Sequence, residues 1–145
     1  MTTGGEAQRI IGDDARKAIE SGRLAHFTTI NPDGSPHTVI VWVGVDGDQV
    51  VIGKLSEDKK VRNIRRDPRV SFSIEAEGSS HGMGHYLVLE GTAEVVEGGA
   101  AELLQRLART YIGPDAVFPP GDNHPPGFMI RITPTRIRGM GPWSS

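Results

Sequence analysis

Apolar positions along the 145 residues fall mostly into short, β-branched runs separated by Gly, Pro, Asn and Asp. That punctuation predicts strands joined by tight turns. Leu24 to Ile30 reads as a first strand, and Asn31-Pro32-Asp33-Gly34-Ser35-Pro36 supplies the residues a tight turn needs. The returning run His37 to Val45 is almost continuously apolar, which predicts one strand covered on both faces by protein, a partner subunit or a ligand. After Asp46-Gly47-Asp48, Gln49 to Gly53 completes a three-stranded meander. Arg69 to Glu75 and Tyr86 to Val96 are further strands around a flexible Ala76–Gly82 loop, with Gly91 marking a bulge or bend. The last strands are Phe128 to Thr133 and Thr135 to Met140.

Helical spacing occurs in three places. Ile11, Ala15, Ala18 and Ile19 share one face of a helix capped by Asp13 or Asp14 and stopped by Ser21-Gly22. Ser56 is a good N-cap for a helix from Glu57 to Arg66 that Asp67-Pro68 ends, with Val61 and Ile64 on its docking face and Lys60 between the two faces. A third helix, Gly98 to Tyr111, carries Leu103, Leu104 and Leu107 as its buried stripe. The resulting order is met by a mainly β fold, an antiparallel barrel with peripheral helices. A chain of this length is one domain, residues 1–145, with residues 1–11 expected to be a flexible N-terminal segment.

Charge sharpens the picture around the second helix. Seven of the sixteen Lys and Arg residues lie within positions 54–69, with three acidic residues among them, so that window carries +4 while the rest of the chain carries −6. This marks either an anion site or a solvated helix face. The net charge of −2 argues against general nucleic-acid binding. No apolar run approaches the roughly 20 residues that cross a bilayer, and the N-terminus lacks a signal-peptide pattern, so a cytoplasmic location is expected. With no cysteine, thiol chemistry and thiolate metal sites are excluded. His81 and His85 are four apart, but Gly82 and Gly84 disfavour a helix there, and no metal site is expected.

The hairpin Ala25 to Pro36, the apolar strand ending near Trp42, the run Lys60-Val61-Arg62-Asn63-Ile64-Arg65-Arg66-Asp67-Pro68-Arg69-Val70 and the later Glu90-Gly91-Thr92-Ala93 together resemble the pyridoxamine 5′-phosphate oxidase-like split β-barrel superfamily. The resemblance covers residues 12–140 and is closest in character to the flavin/deazaflavin oxidoreductases, many of which use coenzyme F420 and others FMN. It implies a homodimer with the cofactor in a groove between subunits, its ring along the second strand and its phosphate near the third strand and the following helix.

Carried onto this chain, that arrangement implies His37, Val39, Val41 and Trp42 beside the ring, and Lys54, Ser56, Lys59, Lys60, Arg62 and Asn63 toward the phosphate. Arg62 and Asn63 serve equally well to hold the helix against the barrel. Glu57 and Asp58 would repel a phosphate unless their side chains point away from it. Arg65, Arg66, Arg136 and Arg138 are available for an acidic tail, which favours F420 over FMN. Trp42 and Trp143 either flank a ring or belong to the core. The implied activity is hydride transfer between reduced F420 and a small electron-poor acceptor. His26, His37 and Tyr86 are conceivable proton donors. The alternatives are an FMN-dependent oxidase or reductase and a non-catalytic flavin- or tetrapyrrole-binding protein.

Overall fold

A computed structural model describes residues 10–143. Within them lie helices α1 (Asp13–Ile19), α2 (Lys59–Arg66) and α3 (Ala100–Tyr111), and strands β1 (Ala25–Ile30), β2 (Pro36–Val41), β3 (Gly44–Asp46), β4 (Gln49–Lys54), β5 (Arg69–Ser80), β6 (Met83–Glu97) and β7 (Phe128–Met140). Most of the expected flexible segment 1–11 lies outside the described residues. Ile11 is inside them and is buried in the core beside Ala15 and Ile19.

All strands pair antiparallel in the order β2-β1-β5-β6-β7-β4-β3. The two ends of that order are consecutive in the chain, separated by Trp42 and Val43 alone. Three Cα–Cα steps reach at most about 11 Å, so the edges β2 and β3 must lie close together and the sheet must curl. The sheet is therefore a split β-barrel whose seam is residues 42–43. The expected single strand from His37 to Val45 is corrected here: it is two strands that lie at opposite ends of the pairing order. Its unbroken apolar character arises because Val43 and Val45 are core residues, while in β2 the half-buried His37, Val39 and Val41 alternate with exposed Thr38 and Ile40.

The core fills the barrel with inward-facing residues of alternating strands, among them Phe27, Phe72, Ile74, Leu87, Leu89 and Ile132. In β5 the outward neighbours Ser71, Ser73 and Glu75 are polar. Burial of such side chains contributes roughly 1.5–3 kcal/mol each.

The expected loop at Ala76–Gly82 is mostly strand. β5 runs on to Ser80, a register shift between Glu75 and Ser79 accommodates Gly78, and a two-residue turn with positive φ at His81 and Gly82 reverses the chain. Ser and Gly, exposed on this protruding hairpin, give no apolar alternation to read. Gly91 does sit at a register shift, opposite Pro134. A Cβ there would come within 2.3 Å of the Thr133 carbonyl oxygen. Because the bulge skips Thr135 and the ladder runs on through Pro134, the two expected final strands are one, β7.

The helix starts also differ. α2 is capped by Asp58, whose carboxylate accepts the Val61 N–H at 3.3 Å, rather than by Ser56. α1 has Gly12 at its N-cap with Asp13 and Asp14 in its first turn, and α3 begins at Ala100 after Gly99, whose φ of 77° suits glycine.

Candidate functional site

Helix α2 is fixed to the barrel by apolar and polar contacts at once. Val61 and Ile64 are buried, and between them Asn63 is only 2% exposed. Its side-chain amide donates to Thr29 Oγ1 at 3.0 Å and to Asn31 Oδ1 at 3.1 Å. Arg66 donates to the Ile30 carbonyl and, at 3.4 Å, to Asn63 Oδ1. These bonds tie one helix face to the end of β1 and so determine where the helix N-terminus stands.

At that N-terminus Lys60 is only 5% exposed. Its ammonium donates to Asp58 Oδ2 at 2.7 Å, and Lys54, at the end of β4, reaches the same oxygen at 3.2 Å. Burial pushes the Asp58 carboxyl up, but hydrogen bonds and charge from Lys60, the Val61 amide and Lys54 outweigh it, and its pKa lies below the ordinary 3.8. Glu57 turns to the other side, 2.5 Å from Arg65 and 3.9 Å from Arg62. One of the two carboxylates expected to oppose an anion is thus directed away, and the other is bracketed by lysines.

Beside the lysines opens a cavity of about 350 Å³. Ile40 and Val41 from the end of β2, Trp42 from the seam, Ile52 from β4 and Leu104 from α3 supply its apolar wall, and Lys54 and Lys60 are its two charged lining residues. Gly53 lets α3 approach β4, since a Cβ there would stand 3.1 Å from Leu104 Cγ. Trp42 stacks on Tyr111 with ring centroids 5.2 Å apart and 12° between planes, and meets Phe118 edge-on. Tyr111 in turn accepts the Val43 N–H at 3.0 Å and donates to the Arg23 carbonyl at 2.9 Å. The barrel seam therefore rigidifies one wall of the cavity.

Four of the residues expected at a site, Val41, Trp42, Lys54 and Lys60, meet in this cavity. His37 and Val39 lie further back along β2, half-buried, and do not line it. Ser56 and Lys59 are exposed outside it, Arg62 faces solvent and Glu57, and Asn63 is the tether to β1. His26, Tyr86, Arg136 and Arg138 do not line it either; Arg138 pairs with Glu90 at 2.8 Å. The two tryptophans stand apart. Trp143 borders a separate groove near His85 and donates to the Tyr86 carbonyl at 3.0 Å. Leu24, Leu104 and Phe118 line the cavity without having been expected there, and Asp58, expected to oppose an anion, bonds to both lining lysines. Asp58 carries a sequence signal, an acidic residue two before Lys60 at the start of the basic run, whereas Leu104 and Phe118 come from distant segments with no local pattern. Among the described residues no group of three or more His, Cys, Asp or Glu is placed to hold a metal ion, and no helix is long and apolar enough to cross a membrane.

Comparison with known proteins gives the family of this split barrel. Residues 11–141 match the pyridoxamine 5′-phosphate oxidase family, and the chain belongs to it. It is similar to a solved F420 reductase, with 26% identity and a TM-score of 0.70 over 85% of this chain and 94% of that one. A conserved hypothetical protein from Mycobacterium tuberculosis is 27% identical, with a TM-score of 0.68 over 92% of this chain and 86% of the other. An FAD-binding protein from Mesorhizobium loti shares the fold at 21% identity, TM-score 0.61, over 85% and 88% of the two chains.

Proposed function

We propose that this protein is an oxidoreductase that uses coenzyme F420 and acts on a small electron-poor acceptor. The observation that carries the reading is the meeting of two ammonium groups, Lys54 and Lys60, with the apolar wall of Ile40, Val41 and Trp42 in one cavity. That donor set fits a cofactor with a flat ring and a phosphate: fixed positive charge for the phosphate and β-branched and aromatic surface for the ring. Lys54 and Lys60 hold the acidic part, and Ile40, Val41 and Trp42 the ring. When bound, F420 supplies two-electron hydride chemistry, and the protein's part is binding, orientation and exclusion of water. The similarity to an F420 reductase supports F420 over FMN.

The protein is further proposed to act as a homodimer. Leu24 and Ile40, at the cavity mouth, are 51% and 58% exposed, and a second copy covering them would close the groove. Sedimentation equilibrium giving a dimer supports this; a monomer at micromolar concentration contradicts it.

Parallel binding titrations against F420 and FMN test the assignment. Tight binding of F420 with weak binding of FMN is the expected result. Tight FMN binding with none for F420 would overturn it.

A further inference from the structure

Lys54 and Lys60 do not meet a ligand as two free charges. One carboxylate oxygen, Asp58 Oδ2, stands 3.2 Å from the first ammonium and 2.7 Å from the second. Asp58 does not itself line the cavity; it is bonded to both lysines that do. It is also fixed in place, because its other oxygen accepts the Val61 N–H as the cap of α2. The alternative charges are turned elsewhere: Glu57 is paired with Arg65, and Lys59 is exposed outside the cavity. The lysine pair together with Asp58 therefore presents a single net positive charge.

From this we propose that Asp58 is a specificity-determining residue that tunes the site toward a singly charged phosphate, a phosphodiester, and against a doubly charged phosphate monoester. A monoanion neutralises the three groups. A dianion leaves an excess negative charge beside a carboxylate that cannot move away without uncapping α2. Coenzyme F420 carries its phosphate as a diester and FMN as a monoester that is largely dianionic above pH 7. The inference thus rests on the cofactor reading above and adds to it the residue that separates the two cofactors. Coulomb energy is linear in ligand charge, so removing the carboxylate charge favours a dianion twice as much in free energy as a monoanion at the same place. In affinity, the gain for the dianion is the square of the gain for the monoanion.

The test uses Asp58→Asn and Asp58→Ser, both good helix caps without the charge. Wild type and variants are titrated at pH 8 with FMN and with its phosphate methyl ester, which share the ring and ribityl chain and differ by one phosphate charge. A gain of about threefold for the ester should accompany about tenfold for FMN. Equal gains for both ligands, or a loss for both, in the two variants would overturn the inference and leave Asp58 as a cap alone. If wild type binds neither FMN nor F420, the cofactor reading fails, and Asp58 is judged separately by 15N signals of the Lys54 and Lys60 ammonium groups. Those signals are titrated with inorganic phosphate, mainly a dianion at pH 8, and with dimethyl phosphate, a monoanion. A larger gain for inorganic phosphate on removing the charge supports the role of Asp58, and equal half-saturation shifts contradict it.

Discussion

Asn63 of α2 donates to Thr29 Oγ1 of β1 at 3.0 Å, and both residues are almost fully buried. The same amide also reaches Asn31 Oδ1 at 3.1 Å, so one buried side chain joins helix and hairpin. Asn63→Ala leaves the Thr29 hydroxyl without this donor and opens a small void. The expected loss is about 2–3 kcal/mol, read from the urea midpoint. A loss below about 0.5 kcal/mol would show that the tether is dispensable.

Tyr111 makes a comparable prediction at the barrel seam. Tyr111→Phe keeps the ring that stacks on Trp42 but removes the bonds to the Val43 amide and the Arg23 carbonyl, at a cost of about 1–3 kcal/mol. Burial raises the Tyr111 phenol above its ordinary pKa of 10.0, against a smaller lowering by the hydrogen bond from Val43. The unfolded chain then loses this proton first, so its contribution to stability is present below pH 10 and declines as pH rises beyond it. The difference in melting temperature between wild type and the Tyr111→Phe variant should shrink between pH 9 and pH 11. A constant difference would contradict the assignment.

The acid limb has the opposite sign. Asp67 is lowered to about 2 by the hydrogen bond from the Arg69 side chain and then by the Arg69 N–H, and Asp58 is lowered despite its burial. Below their ordinary value of 3.8 the unfolded chain binds more protons than the folded one, so stability falls as pH drops from about 4 toward 2. Thermal melts of wild type and Asp58→Asn across that range should converge as pH falls, because the variant has already lost one of these carboxylates. Parallel melting curves would contradict the pairing of Asp58 with the lysines.

Much of this architecture was legible because local signals agreed with the fold. Asp33-Gly34-Ser35 announces the β1–β2 hairpin, the alternation of Val70, Phe72 and Ile74 announces β5, and Val61 with Ile64 announces the docking face of α2. What escaped was set by distance along the chain. Trp42 and Val43 look like the middle of a strand, and nothing local reveals that they bridge the two ends of the sheet. The charge cluster is a single segment in the sequence, but its members do different things: Lys54 and Lys60 line the cavity, Arg65 is paired with Glu57, and Asn63 and Arg66 hold the helix. Only the direction of each side chain separates them, and side-chain direction depended on an N-cap at Asp58 rather than Ser56.

The most direct test of the central claim is the affinity of Lys60→Gln for F420, measured by isothermal titration beside wild type and paired with a thermal melt. Loss of a charge-assisted bond to the cofactor phosphate, at about 1.5–3 kcal/mol, predicts binding weakened roughly tenfold to a hundredfold in a protein that still unfolds cooperatively. Unchanged affinity in a folded Lys60→Gln variant would contradict the placement of the cofactor's acidic group at Lys54 and Lys60.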